Sequence, residues 1–232
     1  MRALLHASPR TAVPVRLAAA VAAVSALSLA VSACGGSPAE SRPAAATTAS
    51  PSSSPSSSGT AIKLDRPLAK PALALTDDRG RPFDLVKATA GKPVLLYFGY
   101  THCPDVCPTT LADIANAVKE LPAADQRKLQ VVFVTTDPAR DTPKRLRSWL
   151  AAFDARFIGL SGDFAEIQQA ARALGIAVEK PVKNADGSYE VTHGAQVLAF
   201  SPADDKVHLV YTSGTTTRQY AADLPKLIGG TV

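Results

Sequence analysis

A continuous apolar run at residues 94–98 constrains the fold of this chain more than any other segment. An apolar run of this length is typical of a central strand that is covered on both faces of its sheet. The sequence Gly91-Lys92-Pro93 precedes the run, and two cysteines follow it. Because open α/β sheets bind ligands beyond the carboxyl ends of their strands, we expect the chemistry of this chain at that point.

Strand and helix patterns alternate along the chain from residue 62 onwards. Residues 71–75 and 82–85 flank the turn Asp77-Asp78-Arg79-Gly80 and predict an N-terminal hairpin. Apolar runs predict later strands at 129–134, 157–160, 189–191, 197–200 and 207–211, with helices predicted at 111–121, after Thr142-Pro143, at 163–174 and at 218–228. A β-α-β half followed by a β-β-α half is the order of a thioredoxin-like domain. We therefore predict the α/β class, with a thioredoxin-like fold in which helices flank a central mixed sheet and a hairpin precedes it.

The N-terminal part of the chain has the pattern of an export signal. Arginines and no acidic residue accompany an apolar run at residues 17–31, which is shorter than the ~20 residues that a membrane span needs. Residues 1–33 are therefore predicted to be a signal peptide of the lipoprotein type. The segment Val31-Ser32-Ala33-Cys34 resembles the lipobox of bacterial lipoproteins, which implies a lipid on Cys34. Ordinary signal cleavage after Ala33, with Cys34 unmodified, is the alternative.

Residues 34–60 have the composition of a flexible Ser/Pro/Ala linker, with Glu40 and Arg42 as the only charges. Nothing larger than proline is available for burial, so the segment cannot offset its loss of conformational entropy. A lipid at Cys34 would tether the domain at residues 61–232 to a membrane through this linker. The predicted location is the outer face of the cytoplasmic membrane.

The net charge of +5 suggests a nucleic-acid partner, but the distribution of the charges along the chain does not support one. Residues 1–33 hold three of the 25 basic residues and none of the 20 acidic ones, so the rest of the chain is nearly neutral. A nearly neutral domain lacks the electrostatic footprint that binding to a phosphate backbone requires. We therefore predict no nucleic-acid partner.

Two cysteines, Cys103 and Cys107, follow the predicted central strand with three residues between them. Pro108 cannot lie inside a helix that begins at Cys103, so the next helix is predicted to start near Pro108. Cys107 would then lie at the positive helix end, which favours the thiolate. Thiols at this spacing are close enough for a strained disulfide or for one shared metal ion. A structural disulfide, or two buried free cysteines, is the alternative.

A third ligand is predicted at His193, because the loop that enters the strand at 197–200 faces the redox site in a thioredoxin-like domain. His102 adjoins Cys103 and is expected to support the site or to contact a partner. His208 lies in an alternating strand and is expected on the polar face of the sheet.

Two carboxylates follow the second predicted strand, at Asp137 and Asp141. Both are candidates for residues that lie near the metal ligands without binding the ion. A role as turn and helix-start carboxylates explains their positions equally well. The basic side chains of the next helix, Lys144, Arg145 and Arg147, are expected to form a solvated face.

Several blocks of the sequence together resemble the Sco/SenC family. They are Phe98-Gly99-Tyr100-Thr101-His102-Cys103-Pro104-Asp105-Val106-Cys107-Pro108, Thr136-Asp137-Pro138-Ala139-Arg140-Asp141-Thr142-Pro143, Phe157-Ile158-Gly159-Leu160-Ser161-Gly162 and the distal His193. The resemblance covers most of residues 70–230. It implies a thioredoxin-like fold, copper as the cofactor, and delivery of copper to the CuA centre of cytochrome c oxidase. It also implies that Cys103, Cys107 and His193 are the copper ligands. The family usually has Asp immediately before the histidine, where this chain has Thr192.

The chemistry of the candidate ligands is consistent with this implication. Two thiolates and an imidazole form a soft ligand set that suits Cu(I) and also holds Cu(II). Zn²⁺ ordinarily takes a fourth ligand, for which the sequence offers no obvious candidate.

Two functions remain open at this point. One is a metallochaperone that delivers copper to the CuA-bearing subunit of cytochrome c oxidase. The other is an enzyme, a thiol-disulfide oxidoreductase that uses Cys103 and Cys107 to reduce the cysteines of a copper-site protein. The metal function is favoured because thioredoxins have two residues between their cysteines, and a cis-proline where this chain has His193-Gly194. Replacement of His193 would discriminate between the two.

Overall fold

The structure, a computed structural model, describes residues 61–232. The predicted signal peptide at 1–33 and the predicted linker at 34–60, including Cys34, lie outside these residues and stay predictions. None of the helices between residues 61 and 232 has the length and apolar character that a membrane span requires.

The described chain contains ten strands and six helices. The strands are β1 (Ile62–Ala69), β2 (Ala74–Asp77), β3 (Pro82–Asp84), β4 (Val94–Gly99), β5 (Gln130–Thr135), β6 (Ile158–Ser161), β7 (Val182–Lys183), β8 (Tyr189–Glu190), β9 (Val197–Phe200) and β10 (Lys206–Tyr211). The helices are α1 (Leu85–Ala88), α2 (Val106–Glu120), α3 (Ala123–Lys128), α4 (Pro143–Leu150), α5 (Phe164–Ala173) and α6 (Thr217–Ile228). Eight strands form one mixed sheet in the order β1-β10-β9-β4-β5-β6-β2-β3, and β7 and β8 form a separate hairpin.

Strand β4 is the centre of the sheet, as the apolar run predicts. It pairs parallel with β5, where Leu96 lies opposite Val132, and antiparallel with β9, where Leu96 lies opposite Leu198. Every residue of β4 is buried. The predicted thioredoxin-like arrangement, a mixed sheet with helices on both faces, is therefore confirmed.

Successive side chains of β4 point into two separate core layers, as the period of a strand requires. Leu95 and Tyr97 pack in the layer that includes apolar residues of α2, α4 and α6. Leu96 and Phe98 pack in the layer that includes apolar residues of α5. Tyr97 and Cys107 thus belong to the same layer, and this places a polar hydroxyl beside a thiol inside the core.

The predicted N-terminal hairpin is confirmed with one correction. Strands β2 and β3 pair antiparallel, and Gly80 adopts the positive φ of +78° that their connecting turn requires. Leu85, which the sequence assigns to the hairpin, instead begins α1. Asp84 caps this helix, because its side chain accepts a hydrogen bond from the backbone N–H of Lys87.

Several element boundaries differ from the prediction, and four elements were missed, namely β1, α1, α3 and β7. Strand β1 was not predicted, because it lies at the sheet edge on β10 and is mostly exposed, so it shows no apolar pattern. Helix α3 has no buried residue and gives no helical pattern either. The helix start at Thr142 is confirmed, since its side chain accepts a hydrogen bond from the backbone N–H of Arg145 and Pro143 takes the first helical position.

Candidate metal centre

Helix α2 begins at Val106, two residues earlier than predicted. The prediction placed the start near Pro108 because a proline inside a helix loses a hydrogen bond and clashes. The first N–H groups of a helix have no intrahelical partner, however, so proline fits within the first turn. Cys107 therefore lies inside the first turn of α2 rather than before it.

The thiol of Cys107 is buried, with 0% of the residue exposed. Its Sγ lies 3.4 Å from the hydroxyl of Tyr97, which donates a hydrogen bond to it. Burial raises the pKa of Cys107 to about 12, although the hydrogen bond from Tyr97 acts in the opposite direction. The expectation that the helix end favours the thiolate is therefore wrong for the metal-free protein. A bound cation would displace the proton, because a coordinating thiol is deprotonated.

The thiol of Cys103 differs from that of Cys107 in its exposure. Cys103 is half-buried, and its Sγ accepts a hydrogen bond from the backbone N–H of Cys107 at 3.4 Å. It lines a surface cavity of about 410 Å³ together with Tyr100, Pro104 and His193. Both cysteines carry free thiols in the structure. Cys103 is thus the sulfur that a molecule in the cavity can reach.

His193 faces the two cysteines, as predicted. Its Nε2 lies 3.6 Å from the Sγ of Cys107, and its Nδ1 lies 3.0 Å from the carbonyl oxygen of Gly194. With the Nδ1 proton donated to Gly194, the lone pair of Nε2 is directed at the sulfur. Burial lowers the pKa of His193, so the imidazole stays neutral at neutral pH and is ready to act as a ligand.

Backbone contacts hold the segment that carries His193. The N–H of Gly194 donates to the carbonyl of Ala177 at 2.7 Å, and the N–H of Glu179 donates to the carbonyl of Thr192 at 2.9 Å. The side chain of Thr192 is exposed. His193 is therefore placed without a carboxylate at position 192.

Two tyrosines pack against the imidazole of His193. The ring centroid of Tyr100 lies 5.6 Å from that of His193, and the centroid of Tyr97 lies 6.3 Å from it, both in edge-to-face geometry. Burial and the neighbouring thiol of Cys103 raise the pKa of Tyr100 to about 12. Both phenols are neutral at physiological pH and restrict the orientation of the imidazole.

The ligand atoms of Cys103, Cys107 and His193 all lie within 4.8 Å of one another. Two ligands of one ion lie at most about 4.6 Å apart, because sulfur and imidazole bind at about 2.0–2.3 Å, so a side-chain shift of a few tenths of an ångström lets these atoms share one ion. No other set of three Cys, His, Asp or Glu side chains within residues 61–232 forms a comparable cluster. The donors are two sulfurs and one nitrogen, a set that suits soft transition-metal ions.

The two predicted carboxylates lie outside this cluster of three ligand atoms. Asp141 is buried and accepts hydrogen bonds from the backbone N–H and the hydroxyl of Thr101. Asp137 is buried and pairs with the guanidinium of Arg140. Asp141 therefore supports the loop that leads to Cys103. Asp137 instead holds the side chain of Arg140 in an ion pair.

The other histidines of the domain lie apart from the ligand atoms. The Nδ1 of His102 is 3.4 Å from Oδ1 of Asp141, which agrees with the expectation of a supporting position. The Nε2 of His208, a half-buried residue of β10, is 3.0 Å from both carboxylate oxygens of Asp204.

Helix α4 contributes an arginine to the site that the sequence assigned to a solvated face. The Nε of Arg145 donates to the hydroxyl of Thr101 at 3.0 Å, so this side chain supports the cysteine loop. Arg147 also makes a fixed contact, because its Nε donates to the carbonyl of Asp78 at 2.9 Å. All three basic residues, Lys144, Arg145 and Arg147, are exposed as expected. The two arginines in addition make fixed contacts that the pattern of one helix could not predict.

Sequence reasoning also missed Gly99 and the two tyrosines. A Cβ atom on Gly99 would lie 2.9 Å from the Sγ of Cys107 and 2.8 Å from the ring of Phe133, so this position requires glycine. The sequence did not mark Tyr97 as a functional residue, because a tyrosine within an apolar strand is expected to pack in the core. The one sequence feature that could have indicated a close contact here is Gly99 itself, which directly follows the apolar run.

The fold and the cluster together define a class of protein: a thioredoxin-like domain with a Cys-Cys-His site for a soft metal ion at the end of its central strand. The sequence model of the SCO1/SenC family matches residues 64–229. The chain therefore belongs to the SCO1/SenC family.

Individual relatives agree with this assignment. A putative copper-binding protein of Stutzerimonas stutzeri is 39% identical over 141 residues, which are 61% of this chain and 68% of that protein. The mitochondrial SCO2 homologue of Bos taurus is 36% identical over 133 residues, 56% of this chain but only 48% of the relative. The structure of Bradyrhizobium japonicum ScoI with copper bound has a TM-score of 0.61 and 34% identity, and the match covers 68% of this chain and 99% of that one.

Proposed function

We propose that this chain binds copper through Cys103, Cys107 and His193. The observation that carries the proposal is the convergence of two sulfurs and one imidazole nitrogen within 4.8 Å, from segments far apart in sequence. Two thiolates and an imidazole stabilise Cu(I) and also hold Cu(II). The similarity to the S. stutzeri protein and to the copper-bound ScoI supports copper over other soft ions.

The bound copper is the cargo of the protein, and the CuA-bearing subunit of cytochrome c oxidase is its acceptor. Membership of the SCO1/SenC family supports this function. The exposure of Cys103 in a surface cavity supports it as well, since an incoming ligand needs a route to the ion. Transfer requires the dithiol to be reduced, so the redox state of the two cysteines gates loading.

The protein works at the outer face of the cytoplasmic membrane, held by a lipid on Cys34 and the linker at 34–60. The export signal at residues 1–33 and the composition of the linker support this location. A Cys34→Ser variant should move from the membrane fraction to the soluble fraction of cells. A Cys103→Ser variant should stay in the membrane fraction, because it leaves the anchor intact.

Copper titration of the reduced, purified chain tests the proposed ligand set. The wild type should bind copper stoichiometrically, and His193→Ala should lower the affinity sharply because one of three ligands is lost. His208→Ala is the matched control, since this histidine contacts Asp204 and not the cysteines. Equal affinity of His193→Ala and the wild type would remove His193 from the ligand set. Copper transfer from the loaded chain to the apo CuA-bearing subunit then tests delivery.

A thiol-disulfide oxidoreductase is the second candidate, and the unequal exposure of the two thiols supports it. Cys103 would attack a substrate disulfide, and Cys107 would resolve the mixed disulfide to give a Cys103–Cys107 disulfide and a reduced substrate dithiol. This reaction needs no imidazole. Disulfide reduction that survives in His193→Ala, in a chain that binds no stable copper, would favour the enzyme over the chaperone.

A further inference from the structure

One buried side chain, that of Tyr97, contacts two of the three proposed ligands. Its hydroxyl lies 3.4 Å from the Sγ of Cys107, and its ring packs edge-to-face on the imidazole of His193. Tyr97 is 0% exposed and lies in the central strand β4, between Leu96 and Phe98 of the opposite layer. In its own layer the ring of Tyr97 also packs on Phe133, with 5.9 Å between centroids, and these contacts hold its hydroxyl beside the sulfur.

The two sulfurs of the site differ in their hydrogen-bond donors. Cys103 accepts from a backbone N–H, while Cys107 has the phenol of Tyr97 beside it. In a copper complex the sulfur of Cys107 is a thiolate without a proton, so the hydroxyl is the donor of this pair. A hydrogen bond to a ligating thiolate withdraws electron density from sulfur, and such bonds tune the redox potential of copper–thiolate sites.

We propose that Tyr97 is a positioning residue that donates a hydrogen bond to the Cys107 thiolate and thereby raises the reduction potential of the bound copper. This inference rests on the proposed function, because it concerns the copper complex of Cys103, Cys107 and His193. The hydrogen bond weakens Cys107 as an electron donor, and a weaker thiolate donor favours Cu(I) over Cu(II). Tyr97 therefore biases the site toward the oxidation state that soft ligands prefer.

The test compares Tyr97→Phe with the wild type in the purified full-length chain. The substitution removes only the hydroxyl, so the ring contacts with His193 and the core are kept. The reduction potential of the copper complex should fall, and the ratio of Cu(I) to Cu(II) affinity should fall about three- to tenfold, the range expected for one net hydrogen bond. The sulfur-to-Cu(II) charge-transfer absorption should move to longer wavelength.

Tyr211→Phe is the matched control for Tyr97→Phe. The hydroxyl of Tyr211 is buried in the same core layer and has no hydrogen-bond partner among residues 61–232. Its ring packs on Tyr220, with 4.5 Å between centroids, rather than on His193. Tyr211→Phe should leave the potential and the absorption unchanged. An unchanged potential in Tyr97→Phe, or an equal shift in Tyr211→Phe, would overturn the proposal.

A second measurement on the metal-free chain separates this proposal from the proposed function. The protein dithiol reacts with oxidised glutathione to give the Cys103–Cys107 disulfide and two reduced glutathione molecules. The hydroxyl of Tyr97 stabilises the reduced sulfur of Cys107, so Tyr97→Phe should shift this equilibrium about threefold or more toward the disulfide. Should the wild type bind no copper, the proposed function fails and this equilibrium alone decides the role of Tyr97. An equilibrium equal to that of the wild type would then reject it.

Discussion

Asp141 and Thr101, 40 positions apart in sequence, are joined by two hydrogen bonds inside the protein. The backbone N–H of Thr101 donates to Oδ2 of Asp141 at 2.9 Å, and the Thr101 hydroxyl donates to Oδ1 at 2.6 Å. The hydroxyl of Thr135 donates to the same carboxylate at 2.6 Å. Since Thr101 lies just before Cys103, one buried carboxylate connects the end of β5, the start of α4 and the cysteine loop.

An Asp141→Asn substitution should destabilise the domain and loosen the cysteine loop. The amide keeps one acceptor oxygen but places an NH₂ group against donors, so at least one buried donor loses its partner. The free energy of unfolding should fall by about 1–3 kcal/mol, which is the cost of an unsatisfied buried group. The copper affinity should fall as well. Urea denaturation and copper titration of the same samples measure the two effects.

The control for Asp141→Asn is Asp163→Asn. Asp163 caps α5 through bonds from the N–H groups of Ala165 and Glu166, and asparagine caps a helix about as well as aspartate. The control should change neither the unfolding free energy nor the copper affinity measurably. Equal stability of Asp141→Asn and the wild type would show that the carboxylate is not needed to hold the loop.

Gly99→Ala should disturb the sulfur of Cys107 directly. The new Cβ would lie 2.9 Å from that Sγ and 2.8 Å from the ring of Phe133, so both must shift. Overpacking of this kind costs about 1–3 kcal/mol of stability. Copper affinity should fall in addition, because the displaced atom is a proposed ligand. Thermal unfolding and copper titration give the two quantities separately.

Gly159→Ala provides the comparison for Gly99→Ala. Its Cβ would lie 2.9 Å from Cδ1 of Leu150 and 3.0 Å from Cβ of Leu146, a similar clash away from the cysteines. This variant should lose a similar amount of stability but keep the copper affinity of the wild type. A parallel loss of affinity in both variants would mean that general destabilisation, not the position of Sγ, controls binding.

The fold was predictable because its signals are local. The apolar run of β4 and the helix start at Thr142 depend on short segments of sequence, and the structure agrees with both. The approach of His193 to the cysteines was predictable from the thioredoxin-like topology, which brings the start of β9 beside the end of β4.

The electrostatics of the site were not predictable in the same way. Whether the helix end or burial controls the pKa of Cys107 depends on how completely α2 is packed, and only the structure gives that. The donors around the loop are also remote in sequence. Arg145 reaches Thr101 from a helix whose basic residues look like an ordinary solvent face. A pattern within one helix cannot reveal a partner on a different element.

The buried imidazole of His193 should make stability depend on pH. Burial lowers its pKa below the ordinary value of 6.5, so the unfolded chain binds this proton more readily than the folded one. The free energy of unfolding of the metal-free protein should therefore decrease as the pH falls through about 6.5. His193→Gln should remove this part of the dependence. Urea denaturation of both chains across this range measures the difference, and parallel curves would contradict the expectation.

Arg140 should help to fix the β7–β8 hairpin, which precedes His193. Its guanidinium carbon lies 3.9 Å from the ring centroid of Tyr189, and its Nε pairs with the buried Asp137. Arg140→Gln removes a cation–π contact, which contributes about 0.5–2 kcal/mol. Amide hydrogen exchange at residues 182–190 should become severalfold faster. Lys183→Gln is the control, because Nζ of Lys183 lies 6.0 Å from the same ring and pairs only weakly with it. Exchange that is equally fast in the two variants would show that loss of either positive charge, rather than the fixed position of Arg140, loosens the hairpin.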